Sequence, residues 1–296
     1  MIFGKFLFTC AGITALLSLR NSSPTMNDLK NKNVLITGGA SGIGKLMGKL
    51  VLEKGANLII WDINPGNIDQ TLAELSSLGK ISSYKVDVSN AEQVRETAAM
   101  VLREHGVVDV LINNAGIIVG KYFHDHSTED IDRTMNINAL APMYVTAEFL
   151  PGMMVQKSGH ICNIASSAGL VSNPKMSVYA ASKWAMIGWS DSLRLEMEEL
   201  EMNINITTVN PFYIDTGMFE GVRSKVPILK PEKVAKKIIK AIEQDRIFLT
   251  MPWSMHLVRL SQGLFPVKFF DLFVGKVLGM YKTMDHFEGR KDQSTN

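Results

Sequence analysis

Short apolar runs alternate with stretches of helical periodicity along most of the chain. The runs at Asn33–Thr37, Asn57–Trp61, Ile81–Val88, Val108–Ile112, His160–Ala165 and Ile204–Val209 read as buried strands. Between them, apolar positions recur at helical spacing: Leu46, Leu50, Val51 and Leu52 first, then Ala91–Glu104, Glu129–Val155 and Val178–Glu199. This rhythm predicts one α/β domain, a doubly wound parallel sheet with helices on both faces and right-handed crossovers. No repeat, low-complexity tract or interdomain linker interrupts it. The domain is expected over residues 33–250, after a polar linker at 21–32 and before a tail at 251–296.

In such a sheet the carboxyl ends of the strands carry the ligands, and the chain places its polar and glycine residues there. The first run leads directly into Gly38-Gly-Ala-Ser41-Gly42-Ile43-Gly44 and then a helical pattern. Glycines at that junction let backbone approach a pyrophosphate, whose charge is favoured at a helix N-terminus; an ordinary tight turn is the plainer reading. Asp62 closes the second run. A carboxylate there accepts from ribose hydroxyls and repels the extra phosphate of NADP, so NAD is the expected cofactor; a surface turn residue is the alternative.

Ser166 follows the run at 160–165, and thirteen residues later comes Tyr179, with Lys183 a further four along. On a helix those two share one face. A positive charge beside a phenol favours the phenolate, so Lys183 is expected to lower the Tyr179 pKa and fit it for proton transfer. Ser166 could instead cap the next segment.

With these residues in place, the sequence resembles the short-chain dehydrogenase/reductase family from about Lys30 to Asp245. Thr37–Gly44 is similar to its cofactor motif, Asp87-Val88 to its adenine contact, Asn113-Asn114-Ala115-Gly116 to its sheet and cofactor motif, and Pro211 with Thr216 to the segment beside the nicotinamide. The resemblance implies a Rossmann-type fold and a catalytic set of Asn136, Ser166, Tyr179 and Lys183. Tyr179 would exchange the proton, Ser166 hold the substrate oxygen, Lys183 also hold the nicotinamide ribose, and Asn136 anchor a water chain. The segment departs from the family in reading Pro211-Phe212-Tyr213, with aromatic residues where glycine usually follows the proline. Trp61-Asp-Ile-Asn64, Pro252-Trp253 and Met284–Gly289 are similar to the membrane-associated branch of retinol and 17-beta-hydroxysteroid dehydrogenases. That narrower match implies a lipophilic alcohol or carbonyl as substrate, and the family implies a homodimer. A cofactor-binding scaffold without turnover and a reductase of polar carbonyls are the rival readings.

Composition sets the remaining bounds. In 296 residues, 46% hydrophobic, a net charge of +2 with acids and bases interleaved excludes a nucleic-acid partner. Two cysteines, Cys10 and Cys162, give no disulfide framework. Residues 1–20 contain an apolar run from Phe6 to Leu19, about 21 Å long as a helix and closer to about 27 Å if Ile2 and Phe3 are counted and Lys5 snorkels. It reads as a membrane anchor, with a cleaved signal peptide as the alternative. The expected location is the endoplasmic reticulum or a lipid droplet, catalytic domain toward the cytosol. Between Trp253 and Tyr281, apolar residues are interspersed with Arg259, Lys268 and Lys276, which suits a lipid interface at the substrate entrance or packing against the sheet or a second subunit. Met153-Met154 reads as core.

Overall fold

Each central strand is apolar on both sides because helices cover both faces of its sheet. In the computed structural model, which describes residues 28–277 and 279–289, successive residues of one strand serve different cores. Val34 and Ile36 of β1 (Asn33–Thr37) and Leu58 and Ile60 of β2 (Asn57–Asp62) join one cluster; Leu35, Ile59 and Trp61 join the other. The remaining strands are β3 (Ile81–Lys85), β4 (Val110–Asn113), β5 (Gly159–Ile164), β6 (Ile204–Pro211) and β7 (Phe248–Met251). All pair in parallel in the order β3-β2-β1-β4-β5-β6-β7. The order reverses between β1 and β4, which opens a crevice at their carboxyl ends.

Helix α1 (Gly42–Glu53) packs with α7 (Pro231–Glu243) on one face. Helices α3 (Ala91–His105), α5 (Ala141–Gln156) and α6 (Ser177–Glu199) cover the other. Local chemistry fixes where several begin. The Asn90 side chain accepts from the Glu92 and Gln93 amides at the start of α3, and Ser127 and Asp130 form a reciprocal capping box on α4 (Thr128–Met135). Helix α2 (Pro65–Leu75) carries proline in its first turn and the Asn64 side chain at its cap.

Several expected boundaries move. The single helical pattern at Glu129–Val155 is two helices, α4 and α5, joined by a π turn at Asn136–Leu140. The third strand stops at Lys85 and the fourth starts at Val110. Leu29, inside the expected linker, is buried in the core, and Met251, the first residue of the expected tail, still belongs to β7. Met153 and Cys162 are fully buried, and burial pushes the Cys162 thiol pKa up.

The tail continues through α8 (Ser254–Leu264), α9 (Val267–Phe270) and a π turn at Asp271–Val277. Its inner face packs on the domain: Met255, Phe270, Val274, Met280 and Met284 share a third core cluster with Tyr179, Phe212 and Tyr213. Its outer face exposes Trp253, Leu257, Leu260, Leu264, Val267 and Phe273. No described helix is long and apolar enough to cross a membrane. The expected anchor at residues 1–20 lies outside the described residues.

Candidate active site

The turn from β1 into α1 is built by close contact. Gly38 and Gly42 have φ of 61° and 52°, in the left-handed region that favours glycine. A Cβ on Gly38 would lie 3.0 Å from Ala115 Cα, and one on Gly44 would collide with the Gly38 carbonyl. Asn114 clamps the turn from β4: its side-chain amide donates to the carbonyls of Thr37 and Gly38, both at 3.0 Å, while Thr37 Oγ1 accepts from the amides of Asn114 (3.0 Å) and Ala115 (3.1 Å). Ser41 places no side-chain cap on α1, so the first-turn amides of that helix remain donors for an anion.

Two carboxylates are held along the same rim. Asp62 is buried, and its Oδ2 accepts from Ala40 N (3.0 Å) and its Oδ1 from Asn64 N (3.1 Å). Each oxygen keeps acceptor capacity for another hydroxyl. Asp87 Oδ1 accepts from the Ser89 amide (2.9 Å) and hydroxyl (2.6 Å).

Across the crevice, Tyr179 and Lys183 stand one turn apart on α6, each only 4% exposed. Ser166, just past β5, accepts from Ala168 N at 3.1 Å, so it does cap the short turn at Ser167–Gly169. Its hydroxyl also reaches Tyr179. Lys183 Nζ donates to the Ile164 carbonyl at 2.9 Å and lies 5.8 Å from the centre of the Tyr179 ring.

The expected lowering of the Tyr179 pKa is not what this geometry produces. Burial pushes it up to about 12; the hydrogen bond with Ser166 pulls down and nearby Tyr213 pushes up further. The same burial lowers Lys183 to about 8. Desolvation of each group outweighs any attraction between the two. Tyr179 therefore keeps its phenolic proton at neutral pH.

These groups surround one cavity of about 670 Å³. Every site residue singled out from the sequence borders it except Gly44, which lies behind the turn. Its remaining walls include Ile117, Ile164, Phe212, Ile214, Met218 and Phe219. Phe212, one of the two residues that depart from the family segment, faces the cavity, whereas Tyr213 lies behind it.

Asn138 escaped the sequence reading. Asn136 borders the cavity, but the amide two residues later makes the connections: Asn138 Oδ1 accepts from Ile117 N (2.9 Å), and its Nδ2 donates to Ile117 O (2.9 Å) and Ser182 Oγ (3.1 Å). Ser182 Oγ in turn donates to the Tyr179 carbonyl at 2.7 Å. Asn138 thereby ties the loop after Gly116 to the helix that presents Tyr179. The π turn sets which asparagine points inward, and π turns recur at functional sites.

The donor set fits a dinucleotide: a glycine turn and free helix amides for its phosphates, a fixed acid for a ribose, and a buried ammonium beside a phenol. Residues 32–227 match the family model described as short chain dehydrogenase. Epidermal retinol dehydrogenase 2 of Mus musculus is 35% identical over 98% of this chain and 95% of its own length. A short-chain dehydrogenase/reductase from Burkholderia phymatum, solved in complex with NAD, superposes with a TM-score of 0.74 at 26% identity, covering 80% of this chain and 94% of that one. A metagenomic short-chain oxidoreductase in complex with NADP gives 0.65 at 26% identity over 75% of this chain and 95% of that one.

Proposed function

The chain belongs to the short-chain dehydrogenase family, in its retinol dehydrogenase branch, and from that premise we propose that it interconverts a lipophilic alcohol and its carbonyl using NAD. The observation that carries this reading is the convergence of Ser166, Tyr179 and Lys183 on a cavity where Ile117, Phe212, Ile214, Met218 and Phe219 supply apolar walls. A retinoid, steroid or long-chain alcohol would bury its hydrocarbon there and turn its one polar group toward Tyr179.

The bound nicotinamide would supply the hydride acceptor or donor. Tyr179 gives its phenolic proton to the carbonyl oxygen in reduction and receives the alcohol proton in oxidation. Ser166 holds that oxygen and stabilises the charge developing on it. Lys183, with its ammonium fixed beside the ring, offsets negative charge as the phenolate forms and reaches toward the ribose. Asn136, which borders the same cavity, would anchor water returning the proton to solvent, and Asn138 holds the loop and helix in register. Gly38, Ser41, Gly42 and Ile43 would receive the pyrophosphate, with Gly44 backing their turn, Asp87, Val88, Asn114, Ala115 and Gly116 along the adenosine and nicotinamide walls, and Pro211 and Thr216 closing over them.

NAD rather than NADP is favoured by charge. The cavity wall carries Asp62, Asp87, Glu129 and Asp132 against Arg133 and Lys183, a poor setting for one more phosphate. The exposed apolar face of the tail, with Arg259 and Lys268 along it, supports contact with a membrane or lipid-droplet surface, to which residues 1–20 would anchor the chain with its catalytic domain toward the cytosol. A homodimer completes the proposal. NADH formation with lipophilic alcohols tests the activity; fractionation of the full chain against one starting at Met26 tests the anchor, which must release the protein when removed.

A further inference from the structure

Behind the cavity, the end of the described chain is strapped across the loops that form its outer wall. Thr283 is buried, and its Oγ1 lies 2.9 Å from the Tyr213 hydroxyl and accepts from Asn173 Nδ2 at 2.7 Å. The same amide donates to the Tyr213 hydroxyl at 3.2 Å, closing a triangle of three side chains from three distant segments. Backbone bonds extend the strap: Arg223 N donates to Thr283 O (3.2 Å) and Glu288 N to Glu220 O (2.9 Å), while Lys175 Nζ reaches the carbonyls of Met284 and Asp285. Gly120, in the loop beside the cavity, has no room for a Cβ because the Phe287 ring covers it.

Aromatic contacts carry the position of this triangle to the reacting end. The Tyr213 ring meets Phe212 edge-on at 4.5 Å and Phe219 at 4.9 Å between centroids, and Phe219 meets Tyr179 at 6.2 Å in the same manner. Phe212, Phe219 and Tyr179 face the cavity; Tyr213 stands one layer back and sets where the first two lie.

We propose that Thr283 is a positioning residue for substrate binding: by holding Tyr213 it fixes Phe212 and Phe219 as the hydrocarbon-facing wall, so the carboxyl-terminal strap decides which lipophilic alcohols fit. The proposal rests on the oxidoreductase reading above for its substrate. The structural half stands on the triangle alone. Packing at a preorganised wall acts on substrate affinity, while Ser166 and Lys183 are held by the turn after β5 and by α6, and Tyr179, carried on α6, meets the strap only through apolar packing with Met280 and Met284.

Thr283→Val keeps the shape and removes the hydroxyl, and Thr283→Ser restores it. The Thr283 hydroxyl contacts Tyr213, Asn173 and the Met280 carbonyl; only the Tyr213 link bears on the wall, and one neutral hydrogen bond corresponds to a change of about threefold to tenfold. In full-length protein in detergent, Thr283→Val should raise KM for the lipophilic alcohol that the wild type oxidises by about that factor, leave KM for NAD unchanged and change kcat less than about twofold. Thr283→Ser should recover the wild-type KM. Hydrogen exchange read without substrate should show faster exchange at residues 217–226 in Thr283→Val and none in the central strands. If the wild type oxidises no alcohol, the activity reading fails while the exchange result still decides the strap. Unchanged exchange at 217–226, or a loss confined to kcat and thermal stability with KM intact, would overturn the proposal.

Discussion

Replacing Lys183 with methionine removes a charge from a site that penalises it. Burial lowers its pKa from 10.5 to about 8, and each unit is worth about 1.4 kcal/mol. At pH 6.5 the lysine is protonated in both the folded and unfolded chain, and carrying the charge costs the native state about 3 kcal/mol. Between about pH 8 and pH 10.5 the unfolded chain holds the proton and the native state does not, so stability from this group rises with pH across that window. At pH 9.5 the remaining penalty is about 1.4 kcal/mol. Methionine has similar length and no charge; it also leaves the Ile164 carbonyl without its donor, a cost of about 1–3 kcal/mol that does not vary with pH. The stability of Lys183→Met relative to wild type should therefore be about 2 kcal/mol better at pH 6.5 than at pH 9.5, or about 4–8 °C in Tm for a domain of this size. Thermal unfolding of both apoproteins at the two pH values, followed by circular dichroism, measures it. Tyr179, displaced to about 12, does not titrate in this range. An equal Tm difference at both pH values would refute the reasoning, because the ammonium would then have to be solvated or paired in the native state.

Other outcomes follow from the same geometry. Asp62→Ser should relax the preference for NAD over NADP by about tenfold or more, a change of at least about 1.4 kcal/mol, read as the ratio of kcat/KM for the two cofactors; an unchanged ratio counts against the ribose assignment. Gly44→Ala should abolish NADH binding, measured by fluorescence titration, because the new Cβ collides with the Gly38 carbonyl; wild-type affinity would show that the turn can move aside. Asn138→Ala should cost about 2 kcal/mol or more by stranding Ile117 and Ser182, whereas Asn136→Ala should leave urea unfolding nearly unchanged; comparable losses would contradict the different placements of the two. Because Tyr179 stays protonated to about 12 and Lys183 keeps its charge below about 8, alcohol oxidation should rise with pH from about 6 to about 7.5 while carbonyl reduction does not; a flat oxidation profile would point to another base.

How far the sequence disclosed this site depended on the kind of information each part required. The order of the strands and the glycine turn were legible because runs such as Val34–Ile36 and Leu58–Trp61 are buried on both faces and end at chemically distinctive residues. Four-residue β7 was not, since Phe-Leu-Thr-Met is too short to carry a pattern. Met135-Asn136-Ile137-Asn138 offers two asparagines, and helical spacing cannot say which one the π turn points inward. The Tyr179–Lys183 spacing was correct, yet its electrostatic consequence was not, because proximity is visible in sequence and desolvation is not. Likewise the role of Thr283 has no local signal: beyond its bond to the Met280 carbonyl, its side-chain partners, Asn173 and Tyr213, are 110 and 70 residues away. The tail's pattern did show apolar bulk, but only the fold divides it into a face packed on Tyr213 and one left outside.

The most direct test is NADH formation by the purified, detergent-solubilised full chain with NAD and a panel of retinol, steroid alcohols, long-chain alcohols and small polar alcohols, run beside Tyr179→Phe. Turnover of a lipophilic alcohol that disappears in Tyr179→Phe, with NADH binding retained by that variant, is the predicted result. Preference for the polar alcohols, or turnover that survives loss of the phenolic hydroxyl, would contradict it.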